Sequence, residues 1–440
     1  MSVTRRKLLT STLAVAGTAL AGRKAFAQPG HEHHHPPAKP PAPTPARPAP
    51  RPVAKGASKL FVPNGSVLPW KQRDGVKVYH LVCEPVKHTI APGLEIEAWG
   101  YNGSTPGPVI EANEGDRVRI YVTNKLPEIT SVHWHGILLP NGMDGVGGLT
   151  QKAIEPGKTY KYEFTFDRAG TFMYHPHSDE MTQIALGMMG MIVVHPRGGE
   201  RRAVRDYVLM SHEMKIEIGA RRPDPMAMND FNVLTFNGKS FPATEPILAE
   251  KGDLVRIRLA NLGPMDHHPI HIHGHTFEIV ATDGGPVPRS ARHPDTTVLV
   301  PVGTTRTIEF VADNNGDWPF HCHMTHHVMN QMGHDVANLI GTNMQGVDAR
   351  MGRVVPGYMT MGQHGMAEMS TMQMQQPKNS ISMVGGKGPY GVIDMGGMFT
   401  ILKVRDKLDG TKDPGWYSAP KGTVAGEAAA ADLARDGIEI

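Results

Sequence analysis

The chain has 440 residues with 49 glycines, 37 prolines and only 6% aromatic residues, and its formal net charge is +3. The net charge falls to −2 when the five basic residues of the first 27 positions are set aside, because that segment has no acidic residue. A balance so close to neutral excludes nucleic acid as an expected partner. Frequent glycine and proline between short, alternating apolar runs predict an all-β chain.

The first 27 residues have the features of a twin-arginine export signal. Arg5 and Arg6 precede a mostly apolar stretch, and residues 25–27 (Ala-Phe-Ala) form a small-x-small cleavage site. The apolar stretch is too short to span a bilayer. We therefore expect a soluble protein without a membrane span, exported in the folded state and either periplasmic or secreted.

Residues 28–60 are predicted to form a linker. The segment is rich in proline and begins with four histidines, His31, His33, His34 and His35. Such a composition lacks the apolar residues that build a core and favours an extended chain.

An internal repeat follows the linker. Asn102-Gly103 recurs as Asn237-Gly238, and in each copy a Gly-Asp turn then leads into a strand with alternating apolar residues. The repeat predicts two homologous β domains, residues 61–200 and 201–345, built as antiparallel sandwiches with Greek-key connections.

Residues 346–440 differ in character from the two repeats. Residues 346–400 contain ten methionines together with many glycines and glutamines. We expect a mostly irregular, methionine-rich C-terminal extension that ends in one strand, residues 398–404, and an alanine-rich tail.

Four His-x-His pairs stand at equivalent positions of the two repeats. The first repeat contributes His133, His135, His175 and His177, and the second contributes His271, His273, His321 and His323. Residues i and i+2 of a strand point to the same side, so each pair presents two imidazoles to one site. Four matched pairs indicate a metal centre, and the unusual counts of 24 histidines and 26 methionines indicate copper, which accepts both imidazole and thioether ligands.

Cys322 belongs to a second site. It lies between His321 and His323, so strand alternation turns the thiolate away from the two imidazoles. His268 lies three residues before His271, so strand alternation turns it to the side of Cys322. His327 and Met332 follow five and ten residues after Cys322. A thiolate, two imidazoles and a weak thioether form a blue-copper electron-transfer site. The first repeat has Pro176 at the position of the cysteine, so only the second can hold this site.

These motifs resemble those of the multicopper oxidase family, and the resemblance covers both repeats in order. It implies two tandem cupredoxin-like domains that hold four copper ions per chain, one of type 1, one of type 2 and two of type 3. The implied ligands are His268, Cys322, His327 and Met332 for type 1; His133 and His271 for type 2; and His135, His175, His323, His177, His273 and His321 for type 3.

The same resemblance assigns two further roles. Cys322 would pass electrons from type 1 copper through His321 and His323 to the cluster. Asp144 resembles the family's acidic residue near the cluster and is a candidate proton relay, with a simple Asp-Gly turn as the alternative.

The chain resembles the two-domain, small-laccase-like subgroup of the family, with the blue copper in the second domain. That similarity implies a homotrimer with the three-copper clusters between subunits. It also implies oxidation of a phenolic or aromatic donor, as in laccases, coupled to four-electron reduction of O2 to water. Two alternatives stay open. A cuprous-ion oxidase in copper tolerance is indicated by the thioethers of Met351, Met359, Met361, Met366, Met369, Met372 and Met374, and a non-catalytic copper-sequestering protein would use the same ligands.

Overall fold

The computed structural model describes residues 60–198, 205–331, 346, 350, 353–354, 377–383 and 385–439. The predicted export signal, nearly all of the linker, Met332 and the seven methionines from Met351 to Met374 lie outside these ranges. Within them strands predominate, and the two α-helices with described bounds are short, α1 (Glu180–Ala185) and α2 (Ala430–Arg435). The all-β prediction is therefore confirmed. A membrane-crossing helix is not found among the described residues.

Ten strands lie between Leu60 and His195. They are β1 (Leu60–Phe61), β2 (Trp70–Arg73), β3 (Val76–Ala91), β4 (Leu94–Tyr101), β5 (Ile110–Asn113), β6 (Arg117–Asn124), β7 (His133–His135), β8 (Thr159–Thr165), β9 (Gly170–His175) and β10 (Gly190–His195). One sheet has the order β2-β3-β6-β8, with β4 also paired to β3, and the other has the order β5-β10-β9-β7. The alternating apolar residues Val118, Ile120 and Val122 of β6 share one buried core with Trp134 of β7. These two sheets are the first domain.

The described residues between Arg205 and Arg405 form fourteen strands. They are β11 (Arg205–Met214), β12 (Val233–Phe236), β13 (Ile247–Glu250), β14 (Leu254–Asn261), β15 (His268–Ile272), β16 (Phe277–Thr282), β17 (Gly285–Pro286), β18 (Pro294–Asp295), β19 (Thr297–Val300), β20 (Thr304–Val311), β21 (Gly316–Cys322), β22 (Lys387–Gly388), β23 (Gly391–Val392) and β24 (Phe399–Arg405). One sheet follows the order β1-β11-β14-β20-β16-β17, and the other follows β13-β24-β21-β15-β19. These two sheets are the second domain, with β1 as a strand added from the start of the described chain.

Equivalent strands of the two domains have equivalent neighbours. β10 lies between β5 and β9, parallel to β5, just as β24 lies between β13 and β21, parallel to β13. β3 with β6 and β11 with β14 are further parallel pairs. The sheets are therefore mixed rather than purely antiparallel as expected, because connections that cross between the two sheets of a sandwich bring non-consecutive strands side by side in the same direction.

The last long strand completes the second domain. The sequence division at residue 345 leaves residues 399–405 in the C-terminal extension, yet β24 pairs with both β13 and β21. Because β24 is the counterpart of β10, the methionine-rich segment lies in the connection between the last two strands of the sandwich. The first domain has only α1 and its flanking turns in that connection.

A buried layer that is rich in methionine joins the two domains. Met173 of β9 and Met191 of β10 pack in one cluster with Met210 of β11. Arg258 of β14 also crosses this layer and donates a hydrogen bond from Nη1 to Thr171 Oγ1 at 2.8 Å. Apolar burial and a buried polar bond together fix how the two domains sit on each other.

A second inter-domain contact makes stability depend on pH. His88 Nε2 donates a hydrogen bond to the Gly238 carbonyl oxygen at 2.6 Å, and burial lowers the pKa of His88 to about 4. The unfolded chain binds this proton near the ordinary pKa of 6.5, so the stabilisation is present above that value and is lost as the pH falls towards about 4. Between about pH 6.5 and about pH 4, each unit of acidification should therefore lower the free energy of unfolding by up to about 1.4 kcal/mol, because His88 must be protonated on unfolding.

Denaturant titrations of the wild-type protein and of His88→Gln at about pH 7 and about pH 5 measure this effect. Glutamine keeps a hydrogen-bond donor but does not titrate, so the variant should lose less stability on acidification. Equal losses in the two proteins would contradict the assignment to His88.

Candidate metal centre

The first half-site consists of four imidazoles at the edge of the first domain. β7 places His133 and His135 on one face, while Trp134 enters the core from the other. β7 pairs with β9 so that His133 lies opposite His175, and His177 follows two residues later. The ring centroid of His133 is 5.7, 5.3 and 5.6 Å from those of His135, His175 and His177. His135 Nδ1 and His175 Nε2 are 3.3 Å apart, which suits two ligands of one metal.

Two carboxylates border the first half-site. His133 Nδ1 donates a hydrogen bond to the Asp144 carbonyl oxygen at 2.8 Å, and an Asp144 carboxylate oxygen lies 3.5 Å from the same nitrogen. Glu180, at the start of α1, places its two carboxylate oxygens 3.3 Å from His175 Nδ1 and 3.8 Å from His177 Nε2. Asp144 thus lies beside the imidazoles, where the sequence suggested it. Glu180 was not predicted, because the turn between His177 and α1 carries no periodic signal.

The second half-site repeats this arrangement in the second domain. β15 and β21 pair so that His271 lies opposite His321. The ring centroid of His271 is 4.8, 5.7 and 5.3 Å from those of His273, His321 and His323. His273 Nε2 and His321 Nε2 are 3.2 Å apart. His271 Nδ1 donates to the Thr296 carbonyl oxygen at 2.8 Å, which fixes the ring and leaves Nε2 as a possible ligand atom.

Burial favours the neutral form of several of these imidazoles. It lowers the pKa of His175 to about 3 and also lowers the pKa of His135, His273 and His321. Neighbouring imidazoles act in the same direction, because one positive ring disfavours another. Neutral imidazole is the form that binds metal ions, so both half-sites present ligands ready for a cation.

The two half-sites do not meet within one chain. Each ring contact of the eight histidines joins two members of the same half-site, apart from one contact of His321 with Phe399. All eight are described residues, and no hydrogen bond connects the two sets. His323 is exposed and His177 is partly exposed. In a single chain, each half-site is therefore a separate group of four imidazoles that reaches the surface through His177 or His323.

A third group lies behind the second half-site. Ile270 of β15 is paired with Cys322 of β21, so His268, two residues before Ile270, is on the same face as the thiol. The short 3-10 turn Thr325–Val328 brings His327 back to this face. Cys322 Sγ is 3.8 Å from His268 Nδ1 and 3.6 Å from His327 Nδ1, and the two nitrogens are 3.2 Å apart. All three side chains are buried.

These distances fit a metal ion. A metal bound by imidazole at about 2.0 Å and by thiolate at about 2.3 Å, with three ligands about 105–120° apart, holds the ligand atoms about 3.2–3.8 Å from one another. Burial raises the pKa of the Cys322 thiol to about 12, so a bound cation would be needed to favour the thiolate. Two imidazoles and one cysteine are the donor set of blue copper. The predicted fourth ligand, Met332, lies outside the described residues.

Two carboxylates at the cysteine site were not predicted. Glu213 of β11 accepts a hydrogen bond from His268 Nε2 at 3.2 Å, and an Asp266 carboxylate oxygen lies 3.4 Å from His327 Nε2. Burial raises the pKa of Glu213, but the hydrogen bond and charge of His268 outweigh it and hold that pKa below its usual value. The hydrogen bond from His327 lowers the pKa of Asp266. The sequence signal that could have found Glu213 is its place in the mostly apolar strand β11, because a charged residue is rarely buried without a partner.

The other cysteine takes no part in this group. Cys83 is buried in the core of the first domain and, like Cys322, is not in a disulfide. Pro176 stands in the first half-site at the position of the cysteine, and its carbonyl oxygen accepts a hydrogen bond from His175 Nδ1 at 2.9 Å. The cysteine site is therefore confined to the second domain among the described residues.

Two protein-family models match the chain, at residues 83–199 and 217–341, and both describe multicopper oxidases. Solved structures with a similar fold include a blue copper oxidase from Nitrosomonas europaea, at 28% identity and a TM-score of 0.56, covering 74% of this chain and 85% of that one. The multicopper oxidase mgLAC has 29% identity and a TM-score of 0.56, covering 79% and 90%. The expectation of cupredoxin-like domains is confirmed.

Curated relatives match over shorter stretches. Copper resistance protein A of Escherichia coli is 45% identical over 119 residues, which is 27% of this chain and 19% of that protein. Laccase-2 of Botryotinia fuckeliana is 30% identical over 297 residues, which is 60% of this chain and 50% of that protein. The alignments thus span half or less of these relatives' length.

Proposed function

Because the chain belongs to the multicopper oxidase family, we propose that it couples one-electron oxidation of a phenolic or aromatic donor to the four-electron reduction of O2 to water. The donor gives up its electrons near His327, and the eight histidines of the two half-sites hold the oxygen-reducing cluster. Bound copper supplies the electron acceptor and the oxygen chemistry, while the protein supplies geometry and electrostatics.

The position of Cys322 is the observation that carries this proposal. Its Sγ faces His268 and His327, while its chain neighbours His321 and His323 belong to the second half-site. His321 Nδ1 also donates a hydrogen bond to the Cys322 carbonyl oxygen at 2.8 Å. An electron that enters at the thiolate therefore has a short path to a cluster ligand. A copper store has no need of such a link, which favours an oxidase over a sequestering protein.

Each group of side chains has a role in this proposal. The type 1 ligands are His268, Cys322, His327 and Met332; the type 2 ligands are His133 and His271; and the type 3 ligands are His135, His175, His177, His273, His321 and His323. The Thr296 carbonyl oxygen orients His271, and the Asp144 carbonyl oxygen orients His133. The Asp144 carboxylate, 3.5 Å from His133 Nδ1, is placed to hold a proton that oxygen reduction consumes.

The cluster forms between subunits of a homotrimer in this proposal. The support is that each half-site is separate within one chain, so eight ligands come together only if the first half-site of one subunit meets the second half-site of the next. Large apolar side chains near each half-site are exposed, including Leu138 and Leu149 in the first domain and Leu299 in the second. Burial of these side chains would favour a contact between subunits at these positions. A head-to-tail contact between unlike surfaces closes into a ring.

Copper counting, absorption and EPR spectra test the proposed class. We expect about four copper ions per chain, a blue absorption band and a type 2 signal. An oxygen electrode should record O2 consumption when a phenol is added. A protein that binds the copper but consumes no oxygen with phenol or cuprous donors would contradict the proposal and support copper sequestration.

Cuprous ion is the second candidate donor, and two exposed thioethers near the cysteine site favour it. Met265 precedes Asp266, and Met324 accepts a hydrogen bond from the His327 backbone N–H at 2.8 Å through its carbonyl oxygen. Met265 is 54% exposed and Met324 is 41% exposed. Thioethers are the soft ligands that a cuprous ion prefers, whereas a phenol does not need them.

Leucine at both positions separates the two donors. The Met265→Leu/Met324→Leu protein keeps apolar volume but loses both sulfurs. If cuprous ion is a substrate, its kcat/KM should fall about tenfold, which corresponds to about 1.4 kcal/mol of lost binding, while phenol oxidation stays unchanged. The matched control is Met181→Leu, another exposed methionine, in the first domain. Equal loss with both donors, or loss with neither, would contradict a thioether site for cuprous ion.

A further inference from the structure

Glu213 is a fully buried carboxylate beside the cysteine site. Its side chain has 0% exposure, and it lies on β11, where the cross-strand neighbour on β12 is Leu234. An ionised carboxylate is costly in such a place unless hydrogen bonds compensate it. Its partners therefore indicate why this position keeps an acid.

Three donors converge on this carboxylate. One oxygen accepts a hydrogen bond from His268 Nε2 at 3.2 Å, and the other accepts bonds from the backbone N–H groups of Met265 and Asp266 at 2.9 and 2.8 Å. Gly263 packs so tightly on it that an added Cβ would lie 1.7 Å from Glu213 Oε2. The carboxylate thus fixes the loop 263–266 as well as one imidazole.

The loop carries the connection to the second imidazole. Asp266, whose backbone N–H is held by Glu213, has a carboxylate oxygen 3.4 Å from His327 Nε2. Both imidazoles present Nδ1 to Cys322 and Nε2 to a carboxylate. Glu213 therefore touches one ring directly and reaches the other through Asp266.

We propose that Glu213 is a positioning residue that orients both imidazoles of the type 1 site and, through its negative charge, lowers the reduction potential of that site. The proposal rests on the function proposed above. A carboxylate that accepts the outer N–H of a ligating histidine fixes the tautomer and makes the ring a stronger donor. A stronger donor with a buried negative charge behind it favours cupric over cuprous copper, because the cupric ion carries the greater charge.

Glu213→Gln in the full-length, copper-loaded protein tests the charge. Glutamine keeps the size and one accepting oxygen, but it removes the charge and leaves only one acceptor atom for the three donors. We expect copper affinity at the cysteine site to fall about 10–100-fold, with a greater loss for cupric than for cuprous ion. Each tenfold difference between the two losses raises the midpoint potential by about 59 mV. Redox titration of the blue band and EPR of the type 1 signal measure both effects.

Two further variants complete the test. Glu111→Gln is the matched control, because Glu111 is another carboxylate that contacts an imidazole nitrogen, His195 Nε2 at 2.7 Å, but in the first domain and away from the cysteine site. It should leave the blue band and the potential unchanged. Glu213→Asp keeps the charge on a shorter side chain, so it should alter the type 1 EPR signal and copper affinity while shifting the potential less than the glutamine variant does.

The outcomes separate this proposal from the function on which it rests. If the wild-type protein has no blue band, the proposed function fails whatever Glu213 does. If the wild-type protein is blue and Glu213→Gln keeps its affinity, EPR signal and potential, the role of Glu213 is overturned alone. Should the glutamine variant not fold, Glu213→Asp decides, because a wild-type EPR signal and affinity in that protein would overturn the positioning role.

Discussion

Replacing Cys322 by serine should abolish the blue absorption band and lower donor oxidation by more than about 100-fold, the upper range for losing an outer partner of a metal ligand. The hydroxyl has nearly the same size as the thiol, but it does not provide the sulfur-to-copper bond that gives the blue colour. The second half-site lies on the other face of β15 and β21: His271 and His321 are in these strands, and His273 and His323 come directly after them. The copper of the cluster should therefore stay bound. Absorption spectra with copper counting measure both results.

Cys83→Ser is the control that the chain itself offers. Cys83 is also buried and free, but it lies in the core of the first domain. Its replacement should cost about 1–3 kcal/mol of stability, through burial of a hydroxyl, and leave the blue band intact. A blue band that survives in the Cys322→Ser protein, or that disappears in the Cys83→Ser protein, would show that the thiolate ligand is misassigned.

Two inactive variants should restore activity when they are assembled together. His133→Ala removes a ligand from the first half-site and His271→Ala removes one from the second, so each protein alone should lose oxygen reduction while keeping its blue band. In mixed trimers made by co-expression, about one quarter of the contacts between subunits combine an intact first half-site with an intact second half-site. Oxygen uptake of the mixture should therefore recover to about one quarter of the wild-type value.

A pair of variants in the same half-site provides the control. His133→Ala assembled with His177→Ala leaves every first half-site defective, so no arrangement of subunits restores a complete cluster. If the His133→Ala and His271→Ala mixture stays as inactive as this control, the two half-sites do not combine between chains. Size-exclusion chromatography with light scattering shows whether the proteins assembled at all.

Strand periodicity made much of the site predictable. The i, i+2 alternation of a strand places the two histidines of a His-x-His pair on one face. It places His268 and Cys322 on the opposite face of the same strands. This alternation is a local property of the chain. The structure places His268 on the cysteine face through the pairing of Ile270 with Cys322. The repeat similarly predicted two sandwiches, because equivalent turns and strands recur at nearly constant spacing.

Partners that are distant in sequence were not predictable. Glu213 is 55 residues from His268, and only the packing of β11 against the loop before β15 brings them together. Mixed sheets depend on which strands cross from one layer to the other, a property of the whole sandwich. The sequence did not assign β24 to the second domain, because 76 residues lie between the end of β21 and the start of β24. The methionine-rich composition of that stretch has no strand pattern that would link the two.

The place of β24 has a consequence for how the second domain refolds if the chain is cut. Gln331 Oε1 accepts a hydrogen bond from Ile381 N at 2.7 Å and the His327 carbonyl oxygen accepts one from Met398 N at 2.9 Å, and β24 pairs with both β13 and β21. After a single cut between Gln331 and Pro377, these contacts would be the attachment of β24 to its sheet. Refolding of the cut protein would then be a second-order step, at a rate that falls when the protein is diluted.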